Sequence, residues 1–160
     1  MRVLFMCTAN SCRSILSEAM FNHLAPQGFQ AISAGSFPRG QVLPRSLMTL
    51  QEAGIGIDGL SSKGNDAFQD SPPDVVITVC DKAAGEACPV YFGPAVKTHW
   101  GLEDPSEVQG DEAQVEAAFK ATLDIIAARC NAFFALPFAS LSSVELKAEL
   151  HRIASTPQPF

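Results

Sequence analysis

From Val3 to Ser17 the chain reads V-L-F-M-C-T-A-N-S-C-R-S-I-L-S, and this stretch restricts the fold more than any other. Val3 to Met6 is an unbroken apolar run, the pattern of a buried strand. From Ser14 the pattern changes. Leu16, Met20 and Leu24 recur four apart with Ile15 and Ala19 beside them, the spacing of a helix face. Strand, tight loop and helix therefore follow one another, with Cys7 at the strand tip and Arg13 near the first helical turn. A loop running into a helix N-terminus aims unpaired backbone N–H groups and the positive dipole end at one point, which makes an anion cradle. A cysteine facing such a cradle is expected to have a lowered pKa and to react as thiolate. The guanidinium of Arg13 can grip two oxygens of a tetrahedral oxyanion at once.

The segment C-T-A-N-S-C-R-S resembles the phosphate-binding loop of the low-molecular-weight tyrosine phosphatase superfamily, C-x-G-N-x-C-R-S, with Ala9 where many members have glycine. The resemblance covers residues 1 to 136. It implies an oxyanion-binding loop of Thr8, Ala9, Asn10, Ser11, Cys12, Arg13 and Ser14. Asn10 and Ser14 would hold the loop by hydrogen bonds, Ser14 also supporting the Cys7 thiolate. The superfamily holds both phosphatases and thiol-dependent arsenate reductases, so the remaining residues must choose.

Cys80 and Cys88 lie in V-C-D-K-A-A-G-E-A-C-P-V. Thioredoxin-coupled arsenate reductases of the superfamily use such a pair and ordinary phosphatases do not, although the spacing here is one residue longer than usual. Reducing arsenate to arsenite takes two electrons, which two thiols supply on becoming a disulfide. A third thiol carries that disulfide to where a protein reductant reaches it. The resemblance thus implies a Cys7–Cys80–Cys88 relay, with electrons from thioredoxin or glutaredoxin and no bound cofactor. Gly85 and Pro89 suit a segment that must unwind for the second exchange. Asp104-Pro105 matches the superfamily's Asp-Pro loop, whose aspartate protonates the leaving oxygen. Ser106-Glu107-Val108 follow it, where phosphatases often carry tyrosines, and the single tyrosine is Tyr91. The alternative is a protein tyrosine phosphatase using Cys7, Arg13 and Asp104. A second alternative, a non-enzymatic oxyanion or redox sensor, has no distinctive sequence support such as an attached DNA-binding module.

Cys12 is expected to stand outside the relay, and Cys130 to be core, since it lies on an apolar helical stripe. Some relatives bind an alkali cation through a loop asparagine, a helix glutamate, a serine and an aspartate. Asn10, Glu18 and Ser33 match the first three, but Lys63 stands at the fourth, so its ammonium would replace the ion and no metal is expected. Neither a C-x-x-C nor a finger-like His spacing occurs among the five cysteines and three histidines.

Elsewhere, Phe29 to Ser33 suggests a second strand, ending at a turn over Ala34-Gly35-Ser36. A helix starts at Pro44 and stops at Gly54, and residues 55 to 73 are irregular with one short helix. Asp74 to Val79 is a β-branched run typical of a central parallel strand, and Ala95 to Trp100 forms another. A long helix runs from Asp111 to Leu136, with Val115, Phe119, Leu123, Ile126, Cys130 and Phe133 as its buried stripe. The last helix follows Ser142 with a capping box to Glu145, and buries Leu146, Leu150 and Ile153. The tail Thr156 to Phe160 is expected to be loose.

Strands alternating with helices imply a three-layer α/β/α fold. By resemblance its central four-stranded parallel sheet has flavodoxin-like topology, in a single domain over residues 1–160. In such folds ligands sit beyond the carboxyl ends of the strands at the topological switch point, and Cys7, Cys80 and Asp104 each follow a strand at that edge. A net charge of −6 argues against nucleic acid or an anionic membrane as partner. The absence of a long apolar run or a signal-like N-terminus points to the cytoplasm. Arsenate is the expected substrate, phosphate or sulfate its analogue, and the protein is expected to be a monomer.

Overall fold

The computed structural model describes residues 1–68, 70–80 and 95–155. Among them four strands, β1 (Arg2–Cys7), β2 (Gln30–Gly35), β3 (Val75–Thr78) and β4 (Val96–His99), form one parallel sheet in the order β2-β1-β3-β4. The helices are α1 (Arg13–Leu24), α2 (Pro44–Glu52), α3 (Glu112–Phe134) and α4 (Ser143–Ala154), with short 3-10 turns at Asn65–Phe68, Pro105–Glu107 and Phe138–Ser140. The α/β class, the four parallel strands and the flavodoxin-like order agree with expectation. Cys88, Gly85, Pro89, Tyr91 and the tail Thr156 to Phe160 lie outside the described residues.

The apolar run of β1 divides between the two faces of the sheet by simple alternation. Val3, Phe5 and Cys7 enter the larger core with α1, α3 and α4, whereas Leu4 and Met6 join Ile32, Ala34 and Val76 on the other face, against Phe68 and Ala95. β3 divides likewise, Val75 and Ile77 one way and Val76 the other. Phe21, Phe133, Phe134, Phe29 and Phe138 stack edge-on or tilted beneath the sheet. Wedged between sheet and α3, α1 is buried on nearly all sides from Ser14 to Phe21.

The stripe of α3 is buried as expected, with Val115 in the first turn only partly buried against the same core. Asp111 caps α3 through Gln114, and the Ser142–Glu145 capping box opens α4. Among the described residues no helix is long and apolar enough to cross a membrane.

The second strand departs from the sequence expectation, since it continues through Ala34 and Gly35 instead of turning there. Gly35 pairs beside Cys7, and a Cβ on it would lie 2.5 Å from the Thr8 carbonyl oxygen and 3.0 Å from Asn10. The glycine therefore serves a close approach of strand to loop, not a turn.

Candidate active site

The order β2-β1-β3-β4 puts the switch point between β1 and β3, and the Cys7 loop stands at their carboxyl ends. The carbonyls of this loop are drawn outward by a strap that follows β2. Backbone N–H groups of Phe37, Arg39 and Leu43 donate to the carbonyls of Thr8, Ala9 and Ser11, each at 2.9 Å. The Ser62 hydroxyl adds a bond to Ala9 O at 3.0 Å and Ser46 one to Ser11 O at 3.2 Å. Binding the carbonyls to the strap would leave the loop's N–H groups for an anion. None of these strap residues is marked by a motif, because their backbones do the work.

Asn10 takes the left-handed conformation, φ 49°, and Ala9 does not. Alanine in place of the family's glycine is therefore free of that strain, while asparagine tolerates the position better than most residues. Asn10 Nδ2 donates to Ser14 Oγ at 2.8 Å and to Ser33 Oγ at 3.0 Å, and its Oδ1 accepts from Lys63 N at 2.9 Å. Asn10 and Ser14 are both fully buried, so the loop is locked from beneath.

The ammonium of Lys63 joins the same network. Its Nζ lies 2.8 Å from Ser61 O, 3.5 Å from Ser33 Oγ and 3.7 Å from Glu18 Oε1, while Ser33 Oγ donates to that carboxylate oxygen at 2.6 Å. Burial raises the Glu18 pKa and lowers that of Lys63, and each charge partly offsets the other's desolvation. Among the described residues no cluster of His, Cys, Asp or Glu is arranged to hold a metal.

The network gives a stability prediction with a definite pH sense. In Lys63→Met the Glu18 carboxylate stays buried without its cation, and the protein is expected to lose about 2 kcal/mol at pH 7. A raised folded-state pKa means that ionised Glu18 opposes folding, and this penalty disappears as the pH falls and the group protonates. The deficit of the variant should therefore shrink between pH 7 and pH 5, as urea unfolding at both pH values would measure. A deficit that is constant or grows on acidification would show that the ammonium is not balancing this carboxylate.

Arg13 opens α1 and is held from the segment after β4. Its Nη1 donates to Leu102 O at 3.0 Å and its Nη2 lies 3.4 Å from Asp104 Oδ2. Asp104 caps the 3-10 turn, its Oδ1 accepting from Ser106 N at 2.9 Å and from Ser106 Oγ at 2.6 Å. Thr8, Arg13, Cys80 and Asp104 line one cleft of about 650 Å³, together with Leu102, Glu103, Glu107 and Val108. No aromatic ring is among the described residues that line it.

Cys7 is buried at the end of β1, and Cys80 is buried two residues beyond β3. Their thiols are within hydrogen-bonding reach of one another, and Cys80 Sγ lies 3.6 Å from Thr8 Oγ1. This contact corrects the expectation of a depressed Cys7 pKa. The neighbouring Cys80 and burial push the Cys7 thiol up, against the opposing pull of Arg13 and the Thr8 backbone. Two thiols so close share their ionisation, because the second proton must leave beside an existing thiolate. Burial also pushes Cys12 and Cys130 up to about 12, so neither is primed as a nucleophile.

The site so assembled, with a cysteine loop, an arginine and an Asp-Pro turn on a four-stranded parallel sheet, has counterparts among known proteins. The family model for low molecular weight phosphotyrosine protein phosphatase matches residues 2–150. The chain belongs to this family. Within it, an arsenate reductase from Bacillus subtilis (strain 168) is 32% identical over 131 residues, covering 82% of this chain and 93% of the relative. A solved arsenate reductase in its phosphate-binding state superposes with a TM-score of 0.67 at 27% identity, over 81% of this chain and 93% of the other. The thioredoxin-dependent arsenate reductase of Corynebacterium glutamicum gives a TM-score of 0.59 at 27% identity, over 78% of this chain and 57% of that one.

Proposed function

We propose that this protein is an arsenate reductase whose thiols pass the electrons of the reaction from Cys7 through Cys80 to Cys88. One observation carries this reading above the phosphatase alternative: Cys80, which lines the cleft, lies against Cys7. A phosphatase returns its cysteine to the resting state with water and has no use for a second thiol there. The curated relatives named arsenate reductase support the same choice.

In the proposed reaction, the cradle N–H groups and Arg13 hold arsenate, and the Cys7 thiolate attacks arsenic. Asp104 gives a proton to the departing hydroxide, which leaves as water. Cys80 then attacks the Cys7 sulfur. The S–As electron pair stays with arsenic, arsenite departs as As(III), and a Cys7–Cys80 disulfide holds the oxidising equivalents. Cys88 attacks Cys80, freeing Cys7 and forming Cys80–Cys88, which thioredoxin or glutaredoxin reduces. The raised Cys7 pKa keeps the resting thiol protonated at neutral pH, so loss of that proton must precede the attack on arsenic. Phosphate and sulfate, with the same tetrahedral shape, would compete with arsenate. A reaction run by reduced thiols fits a cytoplasmic protein.

The test is arsenate-dependent NADPH oxidation with thioredoxin and its reductase, beside an assay with glutathione and glutaredoxin. Turnover with thioredoxin is the expected outcome. Turnover only with glutaredoxin would keep the reductase and change its electron donor. Absence of arsenate reduction in both, with brisk aryl phosphate hydrolysis, would leave the phosphatase reading in its place.

A further inference from the structure

A second arginine stands behind the site. Arg129, on the inner side of α3, is only 4% exposed, between the buried Ile126 and Cys130. Its Nη1 donates to Gly101 O at 3.0 Å. The next carbonyl along the chain, Leu102 O, is the one that receives Arg13 Nη1, also at 3.0 Å. Two guanidinium groups from two helices thus hold consecutive carbonyls of one short segment. That segment is tied on its other side to β3, since Trp100 N donates to Thr78 O at 2.8 Å and Leu102 N to Val79 O at 3.0 Å. It ends in Asp104, and Leu102 forms cleft wall between Cys80 and Asp104.

No carboxylate pairs with Arg129 among the described residues, and burial lowers its pKa. Burying a guanidinium against a backbone carbonyl is costly. A smaller neutral donor could satisfy the same carbonyl at less expense. A charged donor forms the stronger hydrogen bond, and here that bond braces the segment against which Arg13 rests.

We propose that Arg129 is a positioning residue for oxyanion binding: by gripping Gly101 O it sets the Leu102–Asp104 edge, and through that edge the orientation of the Arg13 fork. Arg129 does not touch the oxyanion itself. Displacing the Leu102 carbonyl releases Arg13 from one of its two tethers and moves Asp104 with it. The proposal rests on the reading of the Cys7 loop as an oxyanion cradle, and it extends the machinery to a residue that no motif marks.

The test is a substitution series, Arg129→Lys, Arg129→Gln and Arg129→Leu, with inorganic phosphate as the probe. Lysine keeps donor and charge, glutamine keeps a neutral donor, and leucine keeps only bulk. Calorimetric phosphate affinity is expected to fall about tenfold in the leucine variant, less in glutamine and least in lysine. Arsenate kcat/KM should fall in the same order. In parallel, nitrogen-resolved NMR of the Arg13 guanidinium should show faster rotation in the leucine variant than in wild type. Phosphate affinity within about twofold of wild type in the leucine variant, with Arg13 rotation unchanged, would overturn the proposal and leave Arg129 a purely structural brace. Should the leucine variant fail to fold, equal affinities in the lysine and glutamine variants and wild type, with Arg13 rotation unaltered, would overturn it as well. Wild-type phosphate binding tests the cradle reading separately, and the Arg13 spectra decide the role of Arg129 whichever way that falls.

Discussion

Cys80→Ser is expected to end steady-state arsenate reduction, with a loss of at least about a thousandfold, while slow aryl phosphate hydrolysis continues. A serine hydroxyl cannot attack the Cys7 sulfur to make a disulfide, so the two electrons cannot leave arsenic by the proposed route. The groups that hold and attack a tetrahedral oxyanion, Cys7, Arg13 and the loop, are untouched by the change. The substitution also removes the sulfur that raises the Cys7 pKa, so Cys7 should titrate lower in the variant. Alkylation rate against pH would follow that shift. Cys88→Ser belongs beside it, since blocking only the last exchange should leave a single turnover that stops at Cys7–Cys80. Rapid quench with thiol trapping would separate the two variants. Sustained arsenate reduction in Cys80→Ser would remove Cys80 from the relay.

Arg13→Lys is expected to lower kcat/KM for arsenate by about a hundredfold to a thousandfold, despite keeping the charge. Arg13 uses one nitrogen on Leu102 O and another near Asp104, so its plane is set before any oxyanion arrives. A lysine ammonium is a compact point charge and cannot bond along two parallel directions. Its three donors diverge from one nitrogen, so the transition-state oxygens would lose the planar fork. The same change should weaken phosphate binding by less than it slows turnover, because the fork matters most where charge spreads over the reacting oxygens. Steady-state kinetics beside phosphate calorimetry would measure both. Equal losses in the two quantities would mean that Arg13 contributes uniform binding only.

Much of this site was legible from local pattern. The apolar run Val3 to Met6 and the four-residue recurrence after Ser14 required a strand and a helix with a tight loop between them, and Cys7 and Arg13 took their places from that alone. The β-branched run before Cys80 and the apolar stripe through Cys130 were equally clear, because alternation by two and recurrence by three or four are properties of neighbouring residues. The Ser142–Glu145 box was readable for the same reason. Local pattern misled at Ala34-Gly35, where a turn-prone composition belongs to a strand packed tightly against the loop.

The order of elements, the chemical groups available, and the edge of the sheet at which Cys7, Cys80 and Asp104 emerge all follow from local pattern. How those groups act on one another came from the folded arrangement. It set the Cys7 thiol against Cys80, and so raised a pKa that the loop alone would lower. It bound the loop carbonyls through the backbones of Phe37, Arg39 and Leu43. It also brought Arg129 to the carbonyl next to the one that holds Arg13. Each of these depends on contact between residues distant in the chain, and hydrogen-bond direction, burial and charge pairing exist only once the chain has folded.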